Sequence, residues 1–128
     1  MKNFKTYLVK TLLALLIVVG VSTSTLAGTP QIRKNGVTVI HLDEYNGYFS
    51  AQETVANLKA GKYEFVVSNK ANKRVGFQIQ DLGSKTTLDM FPLEPGETRI
   101  SQINIGADGV RYRCPINPTP WYDLDVIK

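Results

Sequence analysis

Three side chains could carry chemistry by type: Cys114, the only cysteine, His41, the only histidine, and Trp121, the only tryptophan. A thiol and an imidazole are together the start of a metal site or of a nucleophile and its base. Each chemistry, however, needs further donors or a third positioning group. No paired carboxylates stand on a recognisable motif, and the sequence reads as that of a non-enzyme. Around Cys114 runs Cys114-Pro-Ile-Asn-Pro-Thr-Pro120, leading into Trp121 and Tyr122. The prolines stiffen this connection and remove backbone donors. Asn117-Pro118-Thr119 is no glycosylation acceptor, because proline holds its middle position. Asn117, Trp121 and Tyr122 are the candidate partner-binding residues, with Trp121 read either as an anchor projecting from the stiff loop or as a cap on the core.

These groups must be held by strands. Short runs of alternating character recur between Gly, Pro and Asn punctuation, and nothing sustains a helical period beyond the N-terminal segment. Val37–Leu42 follows Asn35-Gly36, and Tyr63–Asn69 follows Ala60-Gly61-Lys62. In the second of these, Tyr63, Phe65 and Val67 alternate with Glu64, Val66 and Ser68, which places the first set on a core face. Val75, Phe77 and Ile79 repeat the pattern. Further strands are expected over Glu97–Ile105 after Pro95-Gly96, over Val110–Cys114 after Asp108-Gly109, and over Tyr122–Ile127. Val110, Tyr112 and Cys114 share the inward face. Arg111 and Arg113 face outward, where Asp123 and Asp125 of the last strand are their expected partners. Ala51–Lys59 is read as strand or irregular, and Met90 as a loop residue.

The chain has 128 residues and opens with Lys2, Lys5 and Lys10, then an uncharged stretch from Thr11 to Val21. That stretch is shorter than the roughly 20 residues needed to span a bilayer. With small residues at Thr25 and Ala27 it reads as a cleavable export signal over 1–27, the alternative being an uncleaved anchor. Residues 28–36 form a short lead and 37–128 one domain. The sequence therefore predicts an exported protein, periplasmic or secreted, with no stable membrane insertion once the signal is removed. Of 15 Lys and Arg, three go with the signal, leaving 12 against 11 acidic residues. So near-neutral a domain lacks the clustered cations that bind nucleic acid. The single cysteine excludes an internal disulfide.

Three patterns in order, Leu58-Lys-Ala-Gly-Lys-Tyr-Glu-Phe65, Leu93-Glu-Pro-Gly-Glu-Thr98 and Gly109-Val-Arg-Tyr-Arg-Cys-Pro115, resemble the cupredoxin family. The Cys114–Pro120 run resembles a subgroup of small exported bacterial members. The resemblance spans about Val37 to Ile127 and implies an all-β Greek-key sandwich of about seven to eight strands. It also implies where copper ligands should stand: a histidine near Val75 or Gly76, then a second histidine and a methionine shortly after Cys114. Neither histidine is present. The expected function is thus an exported, non-catalytic cupredoxin-like binding or accessory module without a type 1 copper site and with no cofactor. Its partner would be an unidentified protein or small ligand. The alternative is a copper-binding or electron-transfer protein using Cys114, with His41, in a divergent metal site. Cys114 is otherwise read as a small inward-facing apolar residue, or as a thiol for an intermolecular disulfide or redox reaction. His41 is read as a structural residue of the first strand, or as a ligand or pH sensor.

Overall fold

The computed structural model describes residues 28–117 and 119–127. The expected signal over 1–27 lies outside the described residues. Nine strands and no helix are described: β1 (Gln31–Ile32), β2 (Thr38–Tyr45), β3 (Tyr48–Ala51), β4 (Gly61–Asn69), β5 (Val75–Asp81), β6 (Thr87–Leu93), β7 (Thr98–Ile105), β8 (Val110–Arg113) and β9 (Tyr122–Leu124). They make two sheets in a β-sandwich-like arrangement. One runs β1-β2-β4-β7, with β3 also paired to β2. The other runs β6-β5-β8-β9. The protein is all-β, as the alternation patterns predict.

The lead segment contributes β1, whose Gln31 and Ile32 pair with Val39 and Thr38. β3 pairs the other half of β2, from Leu42↔Ala51 to Tyr45↔Tyr48. Between them lies the two-residue turn Asn46-Gly47, with φ of 56° and 97°. Two consecutive positive φ values are the hairpin geometry that matches the twist of the flanking strands, and Asn-Gly is the pair that adopts it most readily. β2 and β4 run parallel, Ile40 beside Phe65 and Glu44 beside Asn69. β4 is antiparallel to β7 on its other side.

β6 corrects the reading of Met90 as a loop residue: Gln78 and Met90 are cross-strand partners. Pro92 is tolerated there because β6 is an edge strand of its sheet, where a missing donor breaks no ladder on the open side. Its apolar residues fall on both faces, Phe91 and Leu93 buried, Leu88 and Met90 exposed, so no alternation marks it in the sequence.

The core lies between the sheets. Ile40, Leu42, Phe65, Val67, Val75, Phe77, Ile79, Leu93, Val110 and Cys114 are fully buried, with Tyr63, Ile105 and Tyr112 nearly so. Burying each large side chain contributes about 1.5–3 kcal/mol. Phe77 is central, its ring 5.5 Å from Phe91 and 6.0 Å from both Tyr112 and Phe49. Tyr112 and Tyr122, opposite each other on β8 and β9, stack at 5.2 Å. Polar ties also cross between the sheets: the Ser101 hydroxyl donates to Asp89 at 2.7 Å, and Asn69 Nδ2 donates to the Leu93 carbonyl at 3.0 Å.

Candidate functional site

Cys114 directly follows β8, on the inward face shared by Val110 and Tyr112 as parity predicts, and it is wholly buried. Two backbone groups reach it: the N–H of Gly76 and the N–H of Asn117, each 3.4 Å from Sγ. A sulfur accepting two N–H donors is fixed in direction as well as in position. The third neighbour is Glu44. Strand parity puts Glu44 on the same inward face of β2 as Ile40 and Leu42, and it is 0 % exposed. Neither of its carboxyl oxygens has a partner of ordinary hydrogen-bond geometry. The three ion pairs among the described residues, Arg33–Glu64, His41–Glu53 and Arg74–Glu94, leave it without a cation. Burial pushes its pKa up to about 7, while the facing Cys114 thiol pulls the other way. An ionised carboxylate without a partner in a core is costly, so at mildly acidic pH the group is held as the neutral acid.

The loop after Cys114 is tied to the β2–β3 turn. Asn117 Nδ2 donates to the Asn46 carbonyl at 2.9 Å, and the Thr119 hydroxyl donates to the Gly47 carbonyl at 2.8 Å. Gly47 is required there: besides its positive φ, a Cβ would stand 2.9 Å from the Asn117 carbonyl oxygen. Asn117 is therefore engaged within the molecule by both its backbone and its side chain. Tyr122 is engaged likewise, its hydroxyl accepting the Phe49 N–H at 3.2 Å.

His41 stands on the opposite face of β2 from Glu44, and so from Cys114. Its Nδ1 lies 3.0 Å from Glu53 Oε2, and its backbone N–H donates to the same carboxylate. The structure thus separates the two residues that the sequence offered as joint metal ligands. A type 1 copper centre takes two imidazoles and a thiolate, and the sequence has one histidine. Val75 fills one of the places where the family resemblance asks for a histidine. At Gly76, the other, a Cβ would be crowded, 3.1 Å from Pro115 Cδ. Among the described residues no third His, Cys, Asp or Glu joins Cys114 and Glu44.

Trp121 neither projects freely nor caps the core. It lies half-buried on the outer face of the β6-β5-β8-β9 sheet, with the guanidinium carbons of Arg111 and Arg113 at 4.0 Å and 4.2 Å from its ring. Arg111 also donates from Nε and Nη2 to Gln80 Oε1, at 3.0 and 2.8 Å, and Arg113 Nε donates to Gln78 Oε1 at 3.4 Å. Arg111 and Asp123 are in register. They form no ion pair, and neither do Arg113 and Asp125; stacking on the ring and the glutamine carbonyls take the place of the expected carboxylates. On the other sheet's outer face, a cavity of about 320 Å³ opens beside Lys62, Gln102 and Asn104. At its floor Arg33 pairs with the buried Glu64, which also accepts from Gln102 at 3.2 Å.

Sequence reasoning passed over Glu44, although the signal was available: extending the first strand by two residues continues Ile40 and Leu42 onto it. The Arg111–Trp121–Arg113 stack had no such signal, since which way a loop tryptophan folds is decided in three dimensions. A comparison with protein-family models finds none that matches this chain, and a comparison with curated proteins finds no match either.

Proposed function

We propose that this protein is an exported, non-catalytic binding module built on a cupredoxin-like Greek-key sandwich without a type 1 copper site. The observation that supports it best is the surrounding of Cys114: Val75, the Glu44 carboxyl and two backbone N–H groups stand where copper chemistry would ask for imidazoles. The thiol is enclosed in the core, remote from any reactant. Polar groups able to meet a partner, such as Arg111, Arg113 and Trp121, stand on the outer sheet face instead. Export is supported by the basic, then apolar, then small-residue order of 1–27. The order of turn and strand motifs supports the family likeness.

A second reading, metal binding at Cys114 in a divergent site, is favoured by one observation, the unpartnered Glu44 carboxyl beside the thiol. One titration separates the two. Purified protein is titrated with Cu(I) and Cu(II), following visible absorption and the alkylation of Cys114. The binding-module reading expects no thiolate-to-copper absorption and no protection of the thiol beyond that given by burial alone. Stoichiometric binding that Cys114→Ser abolishes would replace it with the metal reading.

A further inference from the structure

On a sheet face exposed to solvent, an arginine side chain ordinarily samples many rotamers and is strongly hydrated. Arg111 and Arg113 are held differently. Two residues apart on β8, they point to the same side, and both guanidinium carbons lie over the Trp121 ring. Gln80 and Gln78 of the neighbouring β5 fix their Nε edges. Neither forms an ion pair among the described residues, and both Nη groups of Arg113 have no protein acceptor there. Asp123 stands in register with Arg111 without pairing to it. Two forks of donors are thus ordered in advance and left without an anion, the arrangement that suits planar carboxylates. The same face carries exposed apolar groups: Met90 at 58 % and Leu88 at 38 % on β6, and Ile116 at 52 % in the loop that packs over Gly76. These groups lie open on a sheet face, which fits an extended chain better than an enclosed small molecule.

We infer that the outer face of the β6-β5-β8-β9 sheet is an interaction surface for an acidic, partly apolar protein segment, whose carboxylates pair with Arg111 and Arg113 while its apolar side chains cover Met90 and Ile116. This inference rests on the binding-module reading and names the partner's chemistry. Trp121 is the chain's one tryptophan, so its emission reports on the face directly.

The test titrates the purified protein with a short synthetic peptide of alternating Glu and Leu. The controls are the same peptide with Gln for Glu, and oligothymidylate as a polyanion of another class. The expected result is a saturable change in Trp121 emission with the acidic peptide, weakened by salt, and at least ten-fold weaker with the Gln peptide. Arg111→Gln with Arg113→Gln should weaken binding about ten-fold or more. Arg111→Lys with Arg113→Lys should do nearly the same, because an ammonium keeps the charge and loses the fork. Met90→Glu, which sets a negative charge on the face that the acidic peptide would cover, should also weaken binding. The inference is overturned if the lysine variant binds as the parent does, if both peptides bind equally, or if oligothymidylate binds more tightly. Such a failure with a silent copper titration removes this surface and leaves the binding-module reading intact, whereas stoichiometric copper binding at Cys114 removes that reading itself.

Discussion

Glu44 makes stability depend on pH in the sense opposite to that of most carboxylates. Its pKa is 4.5 when solvated and about 7 in the fold, so the folded protein holds this proton more tightly than the unfolded chain does. The contribution is fully present below pH 4.5 and is lost as pH rises through 7. Integrated between those limits it amounts to about 3 kcal/mol. With a urea dependence of about 1–3 kcal/mol per molar, the unfolding midpoint should fall by about 1–3 M between pH 4.5 and 8. Glu44→Gln removes the titration while keeping the shape. The assay is urea unfolding followed by far-ultraviolet circular dichroism across this range for both proteins, with the difference between the two curves as the readout. Groups that titrate alike in both then cancel, among them Asp81, whose pKa is lowered by its bonds from Ser84 and which acts below this window. The variant should gain on the parent steadily from pH 5 to pH 8. Parallel curves from pH 4.5 to 8 would refute the assignment of Glu44 as a buried, unpartnered acid.

Three further outcomes are expected. Cys114→Ala removes the thiol that pulls the Glu44 pKa down, so besides a loss of about 1–2 kcal/mol from the emptied volume, the Glu44 transition should move to higher pH in the same unfolding assay. Gly109→Ala places a methyl group against the Leu124 carbonyl at a position with φ of 83°, and should lower the thermal midpoint by an amount equivalent to about 1–3 kcal/mol. Tyr122→Phe takes the acceptor away from the Phe49 N–H and should cost about 0.5–1.5 kcal/mol in urea unfolding, with the aromatic stack on Tyr112 preserved.

The central strands were legible because each turns its largest apolar residues to one face. Tyr63, Phe65 and Val67, like Val75, Phe77 and Ile79, alternate with more polar or smaller neighbours, and all six lie in the core. Cys114 pointed inward for the same reason. The edges were not legible. β6 carries apolar residues on both faces because one of them is left exposed, and β3 is only four residues long. The hairpin joining β2 to β3 did announce itself in Asn46-Gly47, a pair whose conformational preference alone would have located the turn. At the candidate sites, the sequence supplied the residue types without the arrangement. Nothing in the spacing of Arg111, Arg113 and Trp121 says that a loop residue will fold back over the strand preceding it, or that Gln78 and Gln80 will take the place of Asp123 and Asp125.

The parallel alignment of β2 and β4 has a kinetic consequence. β4 is the middle of its sheet, and its second edge is completed only by β7, Gly61 pairing with Ile105 and Ser68 with Thr98. The other sheet is drawn entirely from Val75 onward and ends at Leu124. The β5–β6 and β8–β9 hairpins are local, whereas the sheet of β2, β4 and β7 joins segments far apart in the chain. The chain must close long loops before its interior becomes dry, which places refolding on the millisecond-to-second scale of sandwiches dominated by non-local pairing. Until Thr98–Ile105 arrives, the long and largely apolar edge of β4 stands open to other chains. Fragments ending before that segment should aggregate on release, and the lifetime of this open edge, more than the final stability, should govern the yield of folded protein.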